Sequence, residues 1–430
     1  MSAPLEVILS SDAGSQLWNV SVFDVHSGSS LLSYRGGNSS ARTLCLLDGQ
    51  YLLSAQLAKN FINVWEIHRK EQLQQKIVCP GAVTCLAASA DGIFLAAGVA
   101  EAVYLWEVST GKLLCALTRH YQDVTCVRFT DDGSHFVSGG KDGAVLVWSL
   151  ASVIQVDVSH APEPRHVLSG HSLPVTDLHC GAMGAQGRVA SASLDQTVKL
   201  WEVSSGELLL SVVFDVEITS VTLDPCEYFL FCGGGDGNIF QVSLCAQGAA
   251  SADKLFQCDA DDKRTFKGHR KMVTCLSVSM DGTLLVSGSH DESVRLWDVQ
   301  SKQCVRCFAH KGPVTNAVIT VAPANMFLPD SRPSVPLPRF SRHQLESDGN
   351  GPSGDVCARP GLRAQEEEPT YLRKALRLDS LTDAVTDKWF HGDGENAKAR
   401  VAELEEEVQT LKKVNKDLYD FSAQLLTKST

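Results

Sequence analysis

The chain has 430 residues, 44% hydrophobic and 20% charged, which suits one large core plus an appendage better than several small domains. Its formal net charge of −12 excludes the broad basic field that drives counterion-release binding to nucleic acid, so any RNA contact falls to a partner or a local basic strip. The 14 cysteines are scattered through apolar runs, which argues against a disulfide framework and for reduced thiols in a nuclear or cytosolic compartment.

In chain order, the start Met1-Ser2-Ala3-Pro4-Leu5-Glu6 has neither the basic nor the long apolar region of a signal peptide. No stretch approaches the roughly 18 apolar residues of a membrane span, so a soluble intracellular protein is expected, without membrane contact. Two strands are predicted near Glu6–Ser10 and Trp18–Phe23. The second ends in Phe23-Asp24, the first of a series of related endings: Trp65-Glu66, Trp106-Glu107, Trp148-Ser149, Trp201-Glu202, a degenerate Phe240-Gln241 and Trp297-Asp298. Their intervals are 42, 41, 42, 53, 39 and 57 residues, and the long ones place insertions near 151–166 and 245–264. A unit of about 40–45 residues ending in an aromatic-acidic pair is the period of a four-stranded propeller blade, and seven endings predict seven blades.

A second spacing runs inside the first. Trp148, Trp201 and Trp297 each follow an Asp by six residues (Asp142, Asp195, Asp291) and a Ser by ten (Ser138, Ser191, Ser287). A His stands 28 to 30 residues earlier (His120, His171, His269). The pattern resembles the hydrogen-bond network of the WD-repeat family, which satisfies polar groups that blade stacking would otherwise bury unpaired. At Trp65, Trp106 and Phe240 the Asp position reads Lys59, Ala100 and Gly234, so those blades are expected to rely on apolar packing and to carry faces remodelled for partners. Inner strands read Val83-Thr84-Cys85, Val124-Thr125-Cys126 and Val273-Thr274-Cys275, β-branched as befits a strand flanked by neighbouring blades.

The first blade has room for only two strands before Phe23 and lacks an innermost one. Beyond an outer strand near Cys304–Phe308 lies an orphan, Val314-Thr315-Asn316-Ala317-Val318-Ile319-Thr320-Val321, expected to fill that place and close a propeller over 1–322. Residues 323–394, rich in Pro, Gly, Ser and Glu, read as a mostly irregular linker. Within it, Arg332, Arg339 and Arg342, interleaved with Leu337 and Phe340, read alternatively as a segment docked on the propeller. Over 395–428 a heptad repeat runs through Val401, Leu404, Val408, Leu411, Asn415, Leu418, Ser422 and Leu425. The fold expected is all-β, a seven-bladed WD-repeat β-propeller with a Pro/Gly/Ser-rich linker and a C-terminal coiled-coil-type α-helix. Leu at each d position and Asn415 at an a position suit a parallel homodimer, with Arg400–Glu405 and Glu407–Lys412 attractive across it. The wider apolar stripe contributed by Val414, Phe421, Tyr419 and Leu426 equally suits docking on a partner or on the propeller wall.

No catalytic, metal or cofactor residue is expected. Cys304-x-x-Cys307 has no second pair, and three-residue spacing in a strand points the thiols to opposite faces. Gly233-Gly234-Gly235-Asp236-Gly237 lacks the Lys-Ser/Thr and helix of a phosphate cradle. His120, Asp142 and Ser138 have the composition of a hydrolase triad, but its repetition in two other blades marks architecture, since an enzyme needs one nucleophile.

The stretches Arg119–Val124, Ser193–Leu208 and Arg295–Cys304, with the tail Val414–Phe421, resemble more than the general repeat. They look like a vertebrate family of WD-repeat subunits of a nucleolar complex that matures the large ribosomal subunit. That resemblance implies a non-catalytic scaffold in pre-rRNA processing and pre-ribosome remodelling. The partners it implies are a proline-, glutamate- and leucine-rich helical-repeat scaffold protein, a second helical-repeat subunit, a SUMO-specific protease, an RNA-processing nuclease subunit and a giant AAA-type remodelling ATPase, with the pre-ribosome reached indirectly. It implies a location in the nucleus, in nucleolus and nucleoplasm, and also in the cytoplasm. The same family suggests an alternative, a subunit of a nuclear SUMO-protease-associated complex in transcription regulation.

Overall fold

The computed structural model describes residues 6–14, 18–69, 73–154, 162–244, 255–257, 265–327, 333 and 336–342. All of them belong to one compact unit, residues 1–364. The heptad segment 395–428 lies outside the described residues, as does all of 343–394.

Seven antiparallel sheets form a ring of blades. Blade 4 shows the plan: Val124–Phe129 innermost, then His135–Gly140, Ala144–Ser149 and His166–Ser169 at the rim. Middle strands are covered on both faces by adjacent blades, so they read as continuous apolar runs, as in Phe94–Val99, where every residue is buried. The core is accordingly split into seven clusters, one between each neighbouring pair of blades. Close approach needs glycine at the blade seam: a Cβ on Gly139 would sit 2.9 Å from Val175 of blade 5, and one on Gly288 only 2.6 Å from Val314.

Blade 1 is assembled from both ends of the chain. Its order is Val314–Val321, Glu6–Asp12, Trp18–Asp24 and Ser30–Arg35, with Val314–Val321 antiparallel to Glu6–Asp12 from Val321↔Glu6 to Val314↔Asp12. The insertion after Ser149 begins with a short helix, Leu150–Ile154. The insertion after blade 6's third strand lays Leu255–Gln257 parallel to Leu208–Val213, as a fifth strand on blade 5.

The register corrects one reading. Trp148, Trp201 and Trp297 each pair with the second strand two residues before its Ser, at Phe136, Val189 and Leu285. In blade 6 the equivalent pair is Leu230↔Val242, so the Trp position is held by Val242 and not by Phe240. Counting six residues back from Val242 gives Asp236, which accepts the Asn238 amide at 3.0 Å, as Asp195 accepts that of Thr197. Blade 6 therefore keeps its hairpin Asp, and Gly234 is not that position.

Candidate interaction site and the polar framework of the ring

The structure brings the three sets of sequence-selected residues together. In blade 4 the indole Nε1 of Trp148 donates to Ser138 Oγ at 3.0 Å, and Ser138 Oγ lies 2.8 Å from His120 Nε2. The Asp142 carboxylate can only accept, so the proton of a neutral imidazole sits on Nδ1, 3.1 Å from Asp142 Oδ2, and Nε2 accepts from the Ser138 hydroxyl. Blade 5 repeats the chain Trp201–Ser191–His171–Asp195 at 2.9, 2.7 and 3.0 Å. Blade 7 repeats it through Trp297–Ser287–His269–Asp291 at 2.8, 2.7 and 2.9 Å. Each Asp also holds two backbone amides. Asp291, for example, accepts from Arg270 and Ser293, both at 3.1 Å, tying the entering loop to the hairpin.

The electrostatics fit a neutral imidazole. Burial holds His120 and His269 below their ordinary pKa, against the opposing pull of Asp142 and Asp291. Burial by itself would raise the Asp291 carboxyl, but hydrogen bonds from Ser293, His269 and the Arg270 amide outweigh it and bring it to about 2. Ser138, Ser191 and Ser287 are fully buried, with the hydroxyl engaged on both sides, so no substrate carbonyl can reach them. These are structural circuits and not triads.

A fourth circuit escaped the spacing rule. His310 lies 3.1 Å from Ser10 Oγ through Nε2 and 3.4 Å from Asp12 through Nδ1, with Phe23 edge-on to the ring at 6.0 Å. Blade 1 has Phe23 where blades 2 to 5 and 7 have Trp, and its His comes from the far end of the propeller. A usable signal existed: His120, His171, His269 and His310 each stand four residues before the Val that opens an innermost strand (Val124, Val175, Val273, Val314).

A second framework lines the channel. Thr84, Thr125, Thr176, Thr219 and Thr274 each donate a hydroxyl to the carbonyl that opens the next blade's innermost strand, at 2.6, 2.7, 2.8, 2.5 and 2.8 Å. Between blades 1 and 2 the ring changes hand-holds, and Asn316 Nδ2 donates to Ser40 O at 2.8 Å. There the innermost strand of blade 2, Ser39–Leu47, slips register between Ser39 and Leu44 and puts Arg42 at φ 55°. Arg42 crosses the channel, its Nε 3.3 Å from Asp177 of blade 5 and its Nη2 donating to Thr219 O of blade 6 at 2.9 Å.

Blades 2 and 3 replace the missing circuits differently, adding other hydrogen bonds to the apolar core packed between them. Trp65 Nε1 donates to Arg35 O at 2.8 Å. In blade 3 Ala97 stands at the Ser position, and Val99↔Ala102 leaves a two-residue hairpin, one residue shorter than in blade 4, with Ala100 at φ 50°. Trp106 instead donates to Ser341 O at 2.9 Å, a carbonyl 235 residues away. Ser341 Oγ accepts the Leu113 amide at 2.7 Å, the Ser341 amide donates to Gly111 O at 2.8 Å, and Gln75 Nε2 donates to Pro338 O at 3.1 Å. Leu337 and Phe340 pack on the core between blades 2 and 3. Of the Arg-rich strip read as linker or docking segment, Pro336–Arg342 is seated on the wall of the ring. Arg339 and Arg342 point to solvent as exposed residues.

Cys304 and Cys307 are exposed on the rim strand of blade 7. Among the described residues no cluster of three or more His, Cys, Asp or Glu is placed to hold a metal.

A closed ring of four-stranded blades with repeated Trp–Ser–His–Asp circuits defines a WD-repeat propeller. The model of the WD domain, G-beta repeat, matches 111–149, 162–202 and 261–298, the three blades that carry Trp circuits. A model described as the WDR18 C-terminal helix matches 383–429. WD repeat-containing protein 18 of Danio rerio is 67% identical over the whole of both chains, and that of Homo sapiens is 56% identical over 100% of this chain and 99% of its own. The chain belongs to the WD repeat-containing protein 18 family. Pre-rRNA-processing protein pro-1 of Caenorhabditis elegans is 29% identical across 70% of this chain and 59% of its own length.

Proposed function

We propose that the chain is a non-catalytic scaffold subunit of a nucleolar complex in biogenesis of the large ribosomal subunit. The observation that carries this reading is the similarity to a protein described as pre-rRNA-processing, which extends over 70% of the chain. Burial of the three serines that compose hydrolase-like sets supports a binding role over a catalytic one. The proposed partners are the Pro-, Glu- and Leu-rich helical-repeat protein, a second helical-repeat subunit, the SUMO-specific protease, the nuclease subunit and the AAA-type ATPase. The proposed location is chiefly nucleolar. The test is affinity purification of the full chain with quantification of co-purifying RNA and protein. Pre-ribosomal RNA and large-subunit ribosomal proteins should be enriched. Enrichment of the SUMO protease with chromatin proteins, and no pre-ribosomal RNA, would transfer the reading to a transcription complex.

The heptad segment is proposed to pair this chain with a second copy. Light scattering on the full chain should give a dimer, and Leu411→Asp with Leu418→Asp should give a folded monomer, because charges cannot be buried in the seam. A wild-type monomer at tens of micromolar would assign the stripe to a partner helix instead.

A further inference from the structure

The face of the ring opposite the His–Asp circuits is built from the turns joining first to second and third to fourth strands. Its two sides differ. Over blades 1 to 3 the chain covers itself: Pro323 lies beside Gly49, Met326 is buried with Trp65 and Ile67, and Pro336–Arg342 follows on blades 2 and 3. On blades 5, 6 and 7 the turns from first to second strand present Met183, Tyr228 and Met280, exposed by 67, 56 and 71%, and on blade 1 the innermost strand ends at Val321, 45% exposed. Four large apolar side chains on four consecutive blades are not the scattered single residues of an ordinary surface. On the same face a cavity of about 350 Å³ opens at the channel mouth, lined by Ala182, Pro225, Val278 and Val318 from these blades and by Arg128, Phe129 and Asp131 of blade 4.

The rim is preformed. Asp132 of blade 4 accepts the Ala185 amide of blade 5 at 3.1 Å, Arg188 of blade 5 meets Glu227 of blade 6 at 3.7 Å, and Glu6 of blade 1 accepts the Met280 amide of blade 7 at 3.0 Å. A ligand seated here orders little that is not already ordered. Exposed carboxylates stand on this face, among them Asp131, which lines the cavity, with Asp132, Glu207 and Asp281. Arg188 is engaged by Glu227. Arg128 is the cation among the cavity-lining residues, its Nε donating to Leu178 O at 3.3 Å inside the channel. Hydrogen bonds keep Asp281 below its ordinary pKa, and Asp132 is brought to about 2, so both stay charged at neutral pH.

We infer that this half-face docks a short segment of a partner protein in which large apolar side chains alternate with Lys or Arg. The apolar residues seat on Met183, Tyr228 and Met280, the two methionines adapting to varied shapes through their flexible thioethers, and the cations meet Asp131 and Asp281. The inference goes beyond the ribosome-biogenesis reading and does not rest on it, so its failure leaves that reading standing.

The test is selection of random 15-residue phage-displayed peptides on the full chain, with counter-selection on Met183→Ser/Tyr228→Ser/Met280→Ser. The substituted residues are exposed, so the variant should melt with the wild type. Peptides that depend on the arc should be enriched in Lys or Arg together with Leu, Phe or Trp. As synthetic probes they should bind the variant at least about tenfold more weakly. Asp131→Asn with Asp281→Asn should weaken them too and flatten their salt dependence. Arc-dependent peptides rich in Asp or Glu, or no arc-dependent peptides at all, would overturn the inference. So would conversion of a wild-type dimer to a monomer by the triple variant, since the face would then belong to a second copy of the chain.

Discussion

His310 Nε2 lies 3.1 Å from Ser10 Oγ across 300 residues of sequence, and this contact joins the two ends of the propeller inside one blade. It stands beside the ladder between Glu6–Asp12 and Val314–Val321, so removing the imidazole leaves Ser10 and Asp12 facing a gap at the closure of the ring. His310→Ala should cost about 1–3 kcal/mol, the penalty of the buried Ser10 hydroxyl losing its imidazole partner. Thermal unfolding followed by circular dichroism checks it, and an unchanged melting temperature would show that the terminal circuit contributes nothing to closure.

Asp195→Ala and Asp291→Ala should each lower stability by about 1–3 kcal/mol and reduce partner binding only through unfolding. The circuits also set a pH dependence. His120 and His269 have folded pKa values below the ordinary 6.5, so the unfolded chain takes up protons first. Their contribution is full above about pH 6.5 and is lost as pH falls towards the folded values. Asp291, at about 2 against an ordinary 3.8, adds a second loss between those values. Melting temperature against pH should show a plateau above 6.5 and a decline below it that steepens under pH 4. Maximum stability at pH 5 would contradict neutral, buried imidazoles.

Arg42 and Asp177 are a coupled pair across the channel, with side chains 22% and 6% exposed. Arg42→Met leaves the Asp177 carboxylate without its cation and should destabilise by about 2–4 kcal/mol, because an unpaired buried charge costs more than the pair contributes. Adding Asp177→Asn should recover part of that loss, since Asn can still accept the Val221 amide that Asp177 Oδ2 accepts at 3.1 Å. Denaturant unfolding of the four members of the cycle measures the coupling, and strict additivity would remove the bridge from the account.

Pro336–Arg342 holds the edge of blade 3, where Ser341 Oγ accepts the Leu113 amide. Phe340→Ala should loosen the segment and raise hydrogen exchange at Leu113, while exchange in blades 4 to 7 stays unchanged. Gly111→Val should act in the same direction, because a Cβ at φ 69° would meet Arg339 O at 2.3 Å. Unaltered exchange at Leu113 in both variants would mean the segment does not brace the blade.

Blade count, blade boundaries and three circuits were legible because they are periodic: the Trp, Ser and Asp of one circuit lie on adjacent strands of one hairpin, so their spacing is short and repeats. Blade 6 was misaligned for a related reason. With Phe214 at the His position, Cys232 at the Ser position and Val242 at the Trp position, only Asp236 kept its type. An aromatic two residues away, Phe240, took the place of the true anchor.

The local order of strands, the apolar content of each strand and the capping Asp of the hairpins in blades 4, 5 and 7 follow from sequence alone, because they depend on neighbours within about 15 residues. The ring decided the rest. Closure puts residue 310 beside residue 10, a register slip at Ser39–Leu44 aims Arg42 across the channel at blades 5 and 6, and Ser341 takes the indole that Ala97 cannot. Each of these pairs a polar group with a partner more than 100 residues away. The four-residue step to Val314 marks His310, but sequence spacing carries no signal for the Arg42 and Ser341 pairs, since the distance between their members is set by how seven blades close and not by the chain between them.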